Sequence, residues 1–148
     1  MKENLDPEAA TVADVERLLR EISVIVKRKG REILEEFPIT PPQFTALLWL
    51  NDAGSLTVGE LSQKMYLACS TITDLVDRME KNHLVKRVRD VNDRRVVHVQ
   101  LLPQGSSLIE EVMAARRAYL AKILSRFSQE ETLAIQKHLA LLYEEMKE

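Results

Sequence analysis

The sequence has little of what builds cross-links, membrane spans and phosphate loops. It holds one cysteine, Cys69, in 148 residues; no intramolecular disulfide can form, and no CxxC pair is present to hold a metal or a redox couple. That usage fits a reducing compartment, and a cytoplasmic location is expected. The longest apolar run, Ala46-Leu47-Leu48-Trp49-Leu50, is five residues, where a spanning helix needs roughly 20, so no membrane partner is expected. Met1-Lys2-Glu3-Asn4-Leu5-Asp6-Pro7 has no apolar stretch of the kind a secretory signal requires. Four glycines supply no phosphate-cradling loop. His83, His98 and His138 are scattered, with no HExxH or His-x-x-Glu pair, and Cys69 has no nearby histidine to act as its base. Neither catalysis, nor a metal, nor a cofactor is therefore expected. Aromatic residues make up 5%, and none of the five prolines lies between Pro42 and Pro103 or after Pro103. Long stretches without breakers predict a mainly helical chain.

The balance that is present, 45% hydrophobic and 30% charged, is that of a folded globular chain. From Ala9 to Phe37, Val12, Val15, Leu18, Leu19, Ile22, Val26, Ile33 and Leu34 recur at spacings of three and four, a helical stripe with Gly30 as its weak point. Thr40-Pro41-Pro42 opens a second helix, with Thr40 as N-cap and Pro41 at a position that needs no N–H. Phe44, Leu47, Leu48 and Leu50 face its core, and Asn51-Asp52-Ala53-Gly54 ends it. Thr57-Val58-Gly59-Glu60 has the form of a capping box and starts a short third helix. A break at Tyr66-Leu67-Ala68 precedes a fourth helix, Cys69 to Asn82, which buries Ile72, Leu75, Val76 and Met79. Leu84–Asp90 and Arg95–Leu102 alternate with period two around a turn at Val91-Asn92-Asp93-Arg94, which predicts a hairpin. From Gln104 the helical spacing returns, and Ser128-Gln129-Glu130-Glu131 marks a break between two final helices.

Thr57 to Val76 reads as a helix-turn-helix, two short helices joined by three or four residues. The second helix offers Ser70, Thr71, Thr73 and Asp74 near its amino end, then Asp77, Arg78 and Lys81. Small hydroxyl side chains there can approach base edges in a major groove, although such residues also simply begin helices. The formal charge of −2 argues against a nucleic-acid partner only as an average. Between Arg78 and Arg95, seven basic residues (Arg78, Lys81, Lys86, Arg87, Arg89, Arg94 and Arg95) stand against three acidic ones, a local charge of +4. The rest of the chain carries 14 basic and 20 acidic residues, or −6. A basic hairpin beside a helix-turn-helix can reach phosphates or a narrow minor groove. The bland alternative is a solvated hairpin whose charges prevent edge-to-edge pairing.

Leu75-Val76-Asp77-Arg78-Met79-Glu80-Lys81-Asn82-His83-Leu84-Val85-Lys86-Arg87 resembles the end of the recognition helix and the first wing strand of MarR-family regulators. So does Asp90-Val91-Asn92-Asp93-Arg94-Arg95 followed by Val96-Val97-His98-Val99-Gln100-Leu101, with the wing's D-x-R element at Asp93 and Arg95. With Pro41-Pro42-Gln43-Phe44, the likeness covers about residues 12 to 146. It implies a mainly α chain: a winged helix-turn-helix with amino- and carboxy-terminal dimerisation helices and one β-hairpin wing. Residues 9–37 and 104–148 would form the helical dimerisation region and 38–103 the winged DNA-binding lobe. The partners implied are a second copy of the chain and double-stranded DNA carrying an inverted-repeat operator, with repression as the regulatory outcome. Ser70, Thr71 and Thr73 would face bases, and Arg94 and Arg95 would enter the minor groove. Asp93 would orient the wing tip, Asp77 would hold a nearby arginine, and Arg78 would make a phosphate or structural contact. The candidate DNA-binding set is thus Ser70, Thr71, Thr73, Asp74, Arg78, Arg89, Arg94 and Arg95. The runner-up function is a winged-helix module that binds protein instead of DNA.

Four positions depart from the family pattern. Tyr66 stands where Gly is frequent, and if that residue needs positive φ it costs roughly 1 kcal/mol. Ala68 replaces a capping Ser, Leu102 replaces a Thr before Pro103, and Asp74 replaces a basic residue. An acidic side chain there repels phosphate but can accept from a cytosine amino group, which puts the operator sequence in question. Relatives that release DNA on binding a small aromatic or lipophilic effector make Phe44, Trp49 and Tyr66 candidate pocket residues; core packing is the commoner role for such aromatics. Cys69, at a helix start where the dipole favours a thiolate, is a candidate redox site. A small helix-start residue without signalling is the plainer reading. The peroxide-sensing branch of the family carries its cysteine near the first helix, where this chain has none.

Overall fold

The computed structural model describes residues 7–148; the amino-terminal segment expected to be no secretory signal lies, except for Pro7, outside the described residues. The element order is α1 (Ala9–Leu34), α2 (Pro41–Ala53), β1 (Ser55–Thr57), α3 (Val58–Met65), α4 (Cys69–Lys81), β2 (Val85–Arg89), β3 (Val97–Leu101), α5 (Pro103–Leu124) and α6 (Gln129–Met146). The chain divides into two compact units, Met1–Ile109 and Glu110–Glu148.

In the first unit the helix starts follow the capping chemistry. Thr40 accepts from the Gln43 N–H at 3.4 Å, and the Gln43 side chain returns the bond to the Thr40 N–H at 3.1 Å. Thr57 and Glu60 form the same reciprocal pair at 3.1 and 3.2 Å. Each such cap stabilises a helix start by about 1 kcal/mol. Gly30 neither ends nor breaks α1, which stops at Leu34, three residues before the expected Phe37. Ile33, Leu34 and Ile39 are buried with Phe44, Ala46, Leu47 and Leu50 of α2. Leu61, Ile72, Val76, Met79, Val85 and Val99 complete a core in which each is at most 1% exposed.

The sheet has the order β1-β3-β2, all antiparallel. The hairpin was expected; β1 was not. Three residues after Gly54 carry no periodic signal, yet Leu56 pairs with Val99 and both are buried. This short strand ties the start of α3 to the wing. Gly54 itself has φ 80°, a positive value that glycine adopts without a Cβ to clash.

Eight large apolar residues of α1 are uncovered: Val12, Val15, Leu18, Leu19, Ile22, Val24, Ile25 and Val26 are all exposed. In the second unit, Ser128 and Glu131 cap α6 reciprocally, both bonds at 3.1 Å, as expected. That helix has no buried residue, and Leu133, Leu139, Leu141, Tyr143 and Met146 are exposed.

Candidate nucleic-acid interface

The turn between α3 and α4 is set by Tyr66, in the left-handed region at φ 55°, ψ 39°. The Leu67 N–H bonds back to the Ser62 carbonyl at 3.2 Å, and the Ser62 hydroxyl donates to the Leu67 carbonyl. Tyr66 therefore does take the positive φ that glycine would take without strain. Ala68 caps α4 with backbone alone, as its side chain dictates. At the other end of α4, His83 is also left-handed, at φ 61°. The Leu84 N–H reaches the Met79 carbonyl at 2.9 Å and the His83 N–H reaches Glu80 at 3.0 Å. These are the paired bonds of a Schellman ending, which turns the chain directly into β2.

Ile72, Val76 and Met79 put one side of α4 into the core, and Ser70, Thr71, Thr73, Asp74, Asp77, Arg78 and Lys81 lie exposed. The Thr73 hydroxyl donates to the Cys69 carbonyl at 2.9 Å, so toward solvent it presents a methyl group and acceptor lone pairs. Cys69 is the exposed first residue of the helix.

Arg87 on β2 locks the wing to this helix. Its guanidinium bonds Asp77 and, at 3.0 Å, Glu80, and it reaches the Thr73 carbonyl at 3.4 Å. The Arg87 N–H also donates to Glu80 at 2.9 Å. Asp77 is thus the arginine partner the family likeness implied, and the Arg87–Glu80 pair beside it is one the sequence did not single out. Their only prior signal was the spacing of Asp77 and Glu80, three apart on one helix face.

At the wing tip the Asp90 N–H bonds the Val96 carbonyl at 2.9 Å, and the Val96 N–H bonds Asp93 at 3.0 Å. One Asp90 oxygen accepts from the Asn92 and Asp93 N–H groups at 2.8 and 3.1 Å; the other meets His98 Nε2 at 2.9 Å. Asp93 accepts from both the backbone N–H and the Nε of Arg95, at 3.0 and 3.3 Å. Beyond this pinned turn the Arg95 side chain is 91% exposed. Arg89 and Arg94 are exposed as well. Among the described residues Arg78, Lys81, Lys86, Arg89 and Arg94 are in no ion pair, so the chain leaves five cations of this surface unneutralised.

The His98 hydrogen bond, then the two backbone N–H groups, hold the Asp90 carboxyl below the usual carboxylate range. A lowered folded pKa means the turn is reinforced above the ordinary carboxylate pKa and loses that support as pH falls through the lowered value. Amide resonances of Asn92 and Asp93 are expected to hold their native positions until the solution is more acidic than that range. In Asp90→Ala they should be displaced at every pH, and DNA affinity should fall several-fold. Native shifts in Asp90→Ala would show that the turn does not depend on the carboxylate.

The three aromatics considered for an effector pocket separate. Phe44 is buried, Tyr66 is 94% exposed and so lines no enclosed cavity within this chain, and Trp49 is half-buried with the Lys64 ammonium 4.8 Å over its ring. Among the described residues no group of three His, Cys, Asp or Glu is placed to hold a metal ion. No helix among them is long and apolar enough to cross a membrane.

Residues 39–97, from two residues before α2 to the first residue of β3, match the profile of the MarR family. The chain is 55% identical over 136 residues to YsmB of Bacillus subtilis (strain 168), an uncharacterised HTH-type transcriptional regulator, covering 92% of this chain and 93% of that protein. It belongs to the MarR family. This MarR-family chain is also 33% identical, over 82% of its own length and 79% of the relative, to the HTH-type transcriptional repressor MdtR of Bacillus subtilis (strain 168). A solved MarR family protein from Bacillus stearothermophilus superposes with a TM-score of 0.81 at 54% identity, covering 97% of this chain and 100% of that one. This MarR-family chain is a winged helix-turn-helix, DNA-binding transcriptional regulator, as its motifs implied.

Proposed function

We propose that this MarR-family regulator works in the cytoplasm as a homodimer that represses transcription by binding inverted-repeat duplex operators. It acts by occupancy and not by catalysis. The observation that carries the reading is one exposed face joining α4, with its hydroxyls, to a pinned wing whose tip holds Arg94 and Arg95. In the bound state Ser70, Thr71 and Thr73 face bases in the major groove. Arg94 and Arg95 enter the minor groove, oriented by Asp93, while Arg78 and Arg89 meet phosphate. The name of the relative MdtR, a repressor, supports repression.

Residues 9–37 and 104–148 form the dimerisation region in this reading. The exposed apolar residues of α1 and α6 exceed the scattered ones a monomer ordinarily shows, and a second copy would cover them. A small aromatic or lipophilic effector belongs to the same reading, with Trp49, the half-buried aromatic, as the residue of the three best placed to meet it. Exposed Cys69 would carry a redox response only by blocking groove entry when modified.

Selection of bound duplexes from a random pool tests this. Two inverted half-sites are expected, centred about 34 Å apart or a multiple of it. On the selected duplex, Arg95→Ala is expected to weaken binding roughly 10- to 100-fold, and affinity should fall steeply with added salt. Equal binding by Arg95→Ala, or a flat salt titration, would overturn the placement of the wing.

A further inference from the structure

We infer that Asp74 is a base-reading residue of α4 that selects cytosine, its carboxylate accepting from the cytosine N4 amino group in the major groove. The inference rests on the proposed entry of α4 into that groove. At about 100° per residue, Asp74 lies roughly 200° around the helix from Ile72. That puts it opposite the buried stripe, one turn after Ser70 and one turn before Arg78.

Its charge is not neutralised within the chain. Among the described residues the Asp74 carboxylate makes no ion pair or hydrogen bond. Arg87, the cation that reaches over this helix, is already engaged by Asp77 and Glu80. Arg78 stands four residues on, the favourable direction for an acid followed by a base on a helix, and no such pair forms. A free carboxylate at the centre of a DNA-facing surface repels phosphate wherever the protein sits on DNA. That cost is offset only on a sequence that presents a donor to it.

The groove edge offers two such donors, adenine N6 and cytosine N4. Adenine sets its N7 acceptor beside the amino group, which suits a carboxamide able to donate and accept. A carboxylate only accepts, and N7 repels it. Cytosine places a C–H beside N4, so the carboxylate meets a donor without an adjacent acceptor on that base. Thr73 reinforces the bias, because its hydroxyl hydrogen is already given to Cys69. Two successive residues of α4 thus offer acceptors to the groove.

The test is duplex selection with the full-length wild type, Asp74→Ala and Asp74→Asn in parallel, each checked for an unchanged melting temperature. The wild type is expected to enrich a cytosine at one position of each half-site, with about tenfold discrimination against thymine there. Asp74→Ala should flatten that position alone and bind random-sequence duplex more tightly, since the repulsion is gone. Asp74→Asn should move the preference to adenine. The same base preference at every position in all three proteins would overturn the assignment to Asp74. A wild type that enriches no sequence would instead overturn the operator-binding reading beneath it.

Discussion

Gly105→Ala is expected to lower the melting temperature by roughly 5–15 °C, the counterpart of about 2–3 kcal/mol lost to overpacking. In most exposed helical positions the same change stabilises, because alanine restricts the unfolded chain and favours helix. Here a Cβ would sit 2.4 Å from the Leu84 carbonyl oxygen and 2.7 Å from a Leu101 methyl. The oxygen is backbone and already accepts from the Leu102 N–H at 2.9 Å. It cannot retreat without moving the Schellman ending of α4 or the first residue of β2. Calorimetry on wild type and variant decides the matter, and an unchanged or raised midpoint would mean the junction yields. Gly54→Ala is the contrast, since nothing lies within 4 Å of its Cβ and only the left-handed φ resists.

Arg87→Met is expected to reduce operator affinity by roughly tenfold or more while costing about 1 kcal/mol of stability. The stability figure is modest because Asp77 and Glu80 keep side-chain exposures of 58% and 42%, and water screens such pairs. The binding effect is larger. Two carboxylates beside the groove-facing side of α4 lose their shared cation, and each repels nearby phosphates by about 0.5 kcal/mol per contact at solvent dielectric. The wing also loses the bond that fixes its angle to the helix. Salt dependence separates this from a direct contact: losing a phosphate-binding arginine lowers the slope of log affinity against log salt by about one. Arg87 should leave the slope in place and lower the whole line. Arg87→Lys should recover only part of the affinity, because an ammonium cannot span both carboxylates as the planar fork does. A reduced slope, or wild-type binding by Arg87→Met, would end the idea that Arg87 works through Asp77 and Glu80.

Helices were legible in this sequence wherever a local rule set their ends. Thr40, Thr57 and Ser128 each capped the helix expected of them, because a cap depends on residues three apart. The hairpin was legible for the same reason, through period-two alternation around Asn92 and Asp93. β1 was not, because three residues carry no period and the strand exists only through its pairing with β3. The site divides in the same way. The exposed hydroxyls of α4 and the tip arginines follow from helix phase and turn position. Arg87 did not stand out among seven basic residues, since its partners lie seven and ten residues back across a turn. Asp90 and His98 were hidden likewise, eight residues apart, one just past the end of β2 and the other on β3. Counting Arg87 as available positive charge also overstated what the surface offers DNA.

The pairing of Leu56 with Val99 has a consequence for the wing. Sliding β3 by one residue would turn Val99 to solvent and break its match with β1 and β2 together, so two edges hold one register. The seven residues from Asp90 to Val96 therefore project a fixed distance from the sheet. The tip behaves as a calliper jaw set by a strand of three residues, and the groove must fit its opening.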